Sequence, residues 1–203
     1  MNTSSDIEQL ISQINHASTP EDVIAAITAI AVSHPQELAL IKAVIAVLSH
    51  HHPAVRAAAV EALIKLGNTT VQPLIAAYEA SQDQGLQAHI IQALAQIGSP
   101  EALDLLATVV GTTVANHCQG NVRRIAARGL GKIASNSHDA EVIRLVQEKL
   151  IWALLSPEDW GLRYAAAVAL QEIATPEAQA ALQNAIAQEA DLVVRSRMAL
   201  ALA

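Results

Sequence analysis

The sequence contains no phenylalanine, and aromatic residues make up 2% of its 203 positions. A core filled by large rings is therefore excluded. The apolar fraction is nonetheless 52%, so the core must pack through small aliphatic side chains, a composition suited to helices in close contact through alanine. There is one cysteine, which excludes an internal disulfide and fits a reducing compartment. Twelve lysines and arginines face nineteen aspartates and glutamates, a formal charge of −7. That balance excludes nucleic-acid binding through a general basic surface. No apolar run reaches the about 18–20 residues of a bilayer span. The opening MNTSSDIEQL lacks the basic start and apolar stretch of a signal peptide. The G-x-S-x-G elbow, the P-loop and the dinucleotide fingerprint are absent as well. The expectation is a soluble cytoplasmic protein with neither a nucleic-acid partner nor a membrane span.

What is present is a repeat. PAVRAAAVEALIKLG, anchored at Arg56, recurs with anchors at Gln87, Arg123, Arg163 and Arg195. Three places after each anchor stand Ala59, Ile90, Ala126, Ala166 and Met198. Seven places after, every copy has leucine: Leu63, Leu94, Leu130, Leu170 and Leu202. Ten places after stand Leu66, Ile97, Ile133 and Ile173. Offsets of 3, 7 and 10 lie on one helix face. A second apolar helix follows each first one, in TTVQPLIAAYEA, SPEALDLLATVV, DAEVIRLVQEKLIWALL and TPEAQAALQNAIAQ. Ser99 and Thr175 read as N-caps, each followed by proline and glutamate. No segment reads as a strand. The expected fold class is all-α: a HEAT-like α-solenoid of stacked helix pairs. The expectation is one domain over 1–203, with 1–20 a flexible N-terminal segment. The pattern runs out at Ala203, inside the first helix of a fifth copy, and predicts an open apolar end that either frays or docks on another protein.

The anchor spacing lengthens before Arg123, in GTTVANHCQGN. Gly111, Asn116, Gly120 and Asn121 are turn formers, so the spacing predicts a loop, with a helix beginning near Asn121. Extra residues in a repeat array usually project from one edge, where binding occurs. The only cysteine, Cys118, lies here beside His117, with Arg123 and Arg124 close behind. In a loop, neighbouring side chains can converge on one ligand. The positive end of the following helix and the two arginines favour the thiolate, and His117 can take or return a proton. The alternative is a partly buried, inert cysteine beside a surface histidine.

Arg124, Arg128 and Lys132 follow at intervals of four. They form either a stripe for ligand carboxylates or a solvated face with acidic neighbours. One repeat later, PEDWGLRYAA gathers Asp159, Trp160, Arg163 and Tyr164. Stacked repeats bring this turn beside residues 116–121. An aromatic surface with a carboxylate and a guanidinium suits a flat, conjugated, acidic ligand. The alternative has Trp160 covering the core and Asp159 as an N-cap. The SHHHP stretch at 49–53 predicts no metal site, because consecutive histidines do not point to one centre and no cysteine or acid stands near.

The alanine-rich array, the NHCQGN segment and DWGLRYAA together resemble the phycobilin lyases of the E/F type, and more narrowly their F subunit. NHCQGN is similar to the motif that marks the isomerising F subunit of phycoerythrocyanin lyase. The resemblance implies a heterodimer with an E-type subunit that attaches phycocyanobilin by a thioether to a cysteine of a phycobiliprotein α subunit, of phycoerythrocyanin or phycocyanin. The isomerising form also converts the pigment to phycoviolobilin. The resemblance implies that residues Asn116 to Asn121 form the site, Gln119 included, with His117 and Cys118 as the isomerising pair. It implies phycocyanobilin as substrate, with no permanently bound cofactor. Arg123, Arg124, Arg128, Asp159, Trp160, Arg163 and Tyr164 would then contact the bilin, with Asp159 as the donor to a pyrrole nitrogen. Two alternatives stay open: a non-isomerising F subunit serving phycocyanin, and a HEAT scaffold for phycobiliproteins without chemistry of its own.

Overall fold

The computed structural model describes residues 3–33, 37–112 and 117–202. Among these there is no strand, and the chain runs through twelve α-helices: α1 (Thr3–Asn15), α2 (Pro20–Ser33), α3 (Leu38–Val47), α4 (Pro53–Leu66), α5 (Val71–Ala80), α6 (Gln84–Ile97), α7 (Leu103–Gly111), α8 (His117–Asn136), α9 (Ala140–Leu154), α10 (Trp160–Ile173), α11 (Pro176–Ile186) and α12 (Leu192–Leu202). Short 3₁₀ turns at Gly67–Thr70 and Pro100–Ala102 lead into α5 and α7. The fold class is the all-α, HEAT-like solenoid class read from the offsets. No helix among the described residues is long and apolar enough to cross a membrane.

The helices form two compact units, 1–97 and 98–203. In the first, α2, α4 and α6 make one layer and α1, α3 and α5 the other. In the second, α8, α10 and α12 pack in one layer, with α7, α9 and α11 behind them. Near the N-terminus, α1 packs on α2 and α3.

The predicted offsets are the core. Ala59, Ile90, Ala126, Ala166 and Met198 are fully buried, as are Leu63, Leu94, Leu130 and Leu170. Thr175 caps α11 by accepting from the Ala178 amide, and Asp139 caps α9 in the same way from Glu141. Ser99 makes no such bond: Pro100 follows it, but the first turn winds as 3₁₀. Four of the five anchors, Arg56, Gln87, Arg123 and Arg163, share one structural job. Arg56 donates Nη1 to the carbonyls of His50 (2.7 Å) and His51 (2.9 Å). The Gln87 amide donates to Tyr78 (3.3 Å) and Ser81 (2.8 Å). Arg123 donates Nε to Val110 (2.9 Å). Arg163 donates Nη1 to Ser156 (3.0 Å) and Pro157 (3.1 Å). Each anchor satisfies carbonyls left open at the end of the preceding helix or in the turn after it.

The α8–α10 contact positions everything discussed below, and it is close because small residues face each other. A Cβ at Gly131 would lie 2.7 Å from the Ala169 Cβ and 3.0 Å from its Cα. Neither atom can rotate away. Gly131→Ala gains about 1 kcal/mol of helix propensity but incurs an overpacking cost of about 1–3 kcal/mol. The expected outcome is a net loss near 1 kcal/mol, seen as a fall in Tm of roughly 2–4 °C. Adding Ala169→Gly should relieve the clash, so the double variant should melt above the level that additivity predicts.

Candidate functional site

The first correction concerns where α8 begins. It starts at His117, not near Asn121, so His117, Cys118, Gln119 and Gly120 form its first turn. The turn-forming residues misled because Gly120 is accommodated inside the helix, where it is buried. Asn116 lies outside the described residues. Successive helix positions are rotated by about 100°, and His117 and Cys118 occupy two such positions instead of the loop that the spacing predicts. The dipole consequence strengthens instead: both residues sit in the first turn, where unpaired amides concentrate positive potential. Gln119 is half-buried and Asn121 exposed.

Arg123 and Arg163 stand at anchor positions. Arg123 is 7% exposed and donates Nε to the Val110 carbonyl. Arg163 is bound on both sides, by the two backbone carbonyls and by Glu189 in a two-pronged pair with Nε–Oε2 at 2.7 Å and Nη2–Oε1 at 3.0 Å. The Glu189 carboxylate raises the Arg163 pKa. Both side chains thus hold the repeat frame through these bonds.

The residues one place further on do form a groove. Arg124, Arg128, Trp160, Gly161, Tyr164 and Val168 line an open cavity of about 490 Å³ between α8 and α10. Trp160 is 50% exposed and Tyr164 38%, which leaves aromatic faces open to a flat ligand. Asp159 fixes this wall. It caps α10 by accepting from the Leu162 amide at 3.0 Å, and the same oxygen accepts from Arg124 Nη2 at 2.8 Å. The Arg124 guanidinium carbon lies 5.6 Å from the Trp160 ring centroid. A Cβ at Gly161 would occupy the space this guanidinium holds, so only glycine permits the arrangement. Arg124 Nε is buried with no hydrogen-bond partner among the described residues.

Asp159 thus holds the wall by accepting from both the α10 amide and the Arg124 guanidinium. The basic stripe is partly neutralised, since Arg128 pairs with Glu172 at 2.7 Å. Both alternatives read from the stripe's spacing are present in part: the cations have acidic neighbours, and they also line a groove. No group of three or more metal-ligating side chains occurs among the described residues.

Comparison with known proteins places this geometry in a family. HEAT repeats match residues 7–84, 71–148 and 112–203. The bilin biosynthesis protein PecF of Nostoc sp. is 77% identical over 153 residues, covering 75% of this chain and 88% of that one. PecF of Mastigocladus laminosus is 61% identical over 197 residues, covering 96% and 93%. The chain belongs to the F-subunit family of E/F-type phycobilin lyases. The solved complex of CpcE and CpcF of phycocyanin lyase from Nostoc sp. PCC7120 contains a lyase chain that superposes with a TM-score of 0.71 at 31% identity, covering 82% of this chain and all of that one. In this F-type chain the groove and the α8 N-terminus belong to the same unit. The sequence reading missed one feature there: Lys149 lies over the Trp152 ring, 4.6 Å from its centroid. The signal was a lysine and a tryptophan three residues apart on one helix face.

The Arg163–Glu189 pair makes a testable pH dependence. Arg163 and the Asp191 amide hold the Glu189 pKa below the ordinary carboxylate range, against a smaller opposing effect of burial. A depressed folded pKa means the stabilisation is present above the unfolded pKa and is lost as pH falls through the folded one. Glu189→Gln should cost on the order of 2 kcal/mol at neutral pH. In urea melts, the gap between wild type and variant should shrink on acidification below about pH 4 and not on raising the pH.

Proposed function

We propose that this chain is the F-type subunit of a heterodimeric bilin lyase. With an E-type partner it attaches phycocyanobilin through a thioether to a cysteine of a phycobiliprotein α subunit, and isomerises the pigment to phycoviolobilin. The single observation that carries the reading is the high identity to PecF along nearly the whole chain, 61% over 197 residues, about double that to the phycocyanin lyase chain. Phycocyanobilin is a substrate in this reading and no resident cofactor is required. The setting is the cytoplasm, where phycobilisomes assemble against the thylakoid.

The geometry supplies compatible parts. A bilin is flat, conjugated and carries two propionates. Trp160 and Tyr164 offer ring faces, and Arg124 and Arg128 offer donors beyond those that Asp159 and Glu172 occupy. Cys118 stands in the first turn of a 20-residue helix, where the helix end favours thiolate. In the proposed cycle the thiolate adds to a carbon of the conjugated system, forming a C–S bond, and a proton satisfies the carbanionic position created. His117 then removes a proton from one carbon and returns it at another, which moves a double bond with no net oxidation or reduction. Loss of a proton from the carbon next to the C–S bond then expels Cys118, which re-forms the double bond and restores the thiolate. The acceptor cysteine adds its sulfur to the pigment, and its proton goes to the adjoining carbon.

The test is reconstitution with an E-type partner, phycocyanobilin and the apo α subunits of phycoerythrocyanin and phycocyanin, followed by absorption. The expected product is a violet-shifted, photoactive adduct on the phycoerythrocyanin subunit. Cys118→Ser and His117→Ala should each reduce isomerised product by roughly 100-fold or more. An adduct with an unshifted phycocyanobilin spectrum would make the chain a plain lyase subunit. Absence of any adduct would leave a scaffold.

A further inference from the structure

Four of the arginines in the second unit each face a carboxylate. Arg124 has Asp159, Arg128 has Glu172, Arg144 has Glu141 and Glu148, and Arg163 has Glu189. Lys149 does not. It is half-buried near the end of α9 and pairs with no carboxylate among the described residues. Its ammonium lies against Gly111, where a Cβ would come within 2.8 Å of Nζ. Burial and the neighbouring Arg123 charge both lower its pKa. Among the described residues Nζ makes no hydrogen bond, and the ammonium rests over the Trp152 ring, which is itself 49% exposed.

The topology gives this pair its place. α9 runs antiparallel to α8 after a three-residue connection, and α10 returns parallel to α8. The C-terminal turns of α9 therefore lie at the same end of the unit as the first turns of α8 and α10. Both tryptophans of the chain are at that end, each about half exposed. A cation strained by burial and by a like charge, without a counter-ion and resting on an open ring, is complementary to an anion attached to a conjugated ligand.

We infer that Lys149 is a carboxylate anchor for the bilin, binding one propionate while Trp152 offers a ring face beside it. The inference rests on the bilin-lyase reading and adds to it a binding residue outside the α8–α10 groove. Arg124 and Arg128 must share their charge with Asp159 and Glu172, whereas Lys149 has its full charge to give. The ammonium makes charge-assisted hydrogen bonds to a propionate that an ester cannot accept with the same strength.

The experiment compares phycocyanobilin with its dimethyl ester, titrated by absorption and tryptophan fluorescence into the full chain assembled with an E-type partner. Wild type should bind the free acid roughly ten-fold more tightly than the ester. Lys149→Met keeps the aliphatic stem over Gly111, and should lose that preference by weakening acid binding alone. Lys149→Arg should keep most of it. If the methionine variant does not fold, Lys149→Gln is read in its place. Unchanged acid binding in the variant, or equal weakening toward acid and ester, overturns the anchor while leaving the lyase reading intact. Failure of the wild-type complex to bind either pigment overturns both.

Discussion

The second unit, and the first in the same way, depends on one repeated hydrogen bond. A long polar side chain near the start of each first helix reaches back to carbonyls that the preceding helix end or turn leaves open. Arg56, Gln87, Arg123 and Arg163 all do so. A helix ends with carbonyls that have no partner of their own, and burying them unpaired costs about 1–3 kcal/mol each. The anchor pays that penalty once per repeat and fixes where each helix begins relative to the last. Glutamine serves at position 87 because the interaction needs a donor at the right reach, not a charge. In unit 2 the charge is also matched, by Glu189 against Arg163.

This constraint sorts the arginines. The anchor position faces the preceding turn, so the position after it, one residue on in sequence, lies about 100° around the helix. Arg124 and Tyr164 stand one place after their anchors, and Arg128 and Val168 five places after. All four line the groove. The same places in unit 1 hold Ala57 and Ala88, then Glu61 and Gln92. The frame repeats while the chemistry at these offsets does not. Arg123 and Arg163 serve the frame through their bonds to the preceding carbonyls, and a residue type that recurs at an anchor position is recognisable by that register.

The core was legible in the sequence because burial follows the 3 and 7 offsets at every position but Leu202, and the 10 offset at Leu66 and Ile133, with Ile97, Ile173 and Leu202 half-buried; those offsets need only a helix and one apolar side. The α10 cap was legible as an alternative, because aspartate before a helix accepts from its first amides. The start of α8 was not. Gly111, Gly120 and Asn121 all favour turns in isolation, but tertiary packing along α8 outweighs a glycine cost of about 1 kcal/mol. The Arg124–Asp159 pair joins residues 35 apart in sequence, and Lys149 meets Gly111 across a still longer separation. Periodicity within one helix carries no information about such partners.

The missing phenylalanine closes the account of why aromatic side chains collect where they do. Helices that meet through Gly131 and Ala169 come too close for a ring between them. A large aromatic in that layer would force α8 and α10 apart and open voids along the Ala165–Ala167 face, whose alanines are buried. Rings are therefore tolerated only at helix ends and outer faces, and Trp152, Trp160 and Tyr164 are all found there, a third to a half exposed. In most proteins an exposed tryptophan has to be explained against the alternative of burial in the core. In this chain the core admits no ring, so a tryptophan has only the surface to occupy, and exposure alone says little about ligand binding. The informative facts are the charged partners: a guanidinium against one indole and an unpaired ammonium over the other.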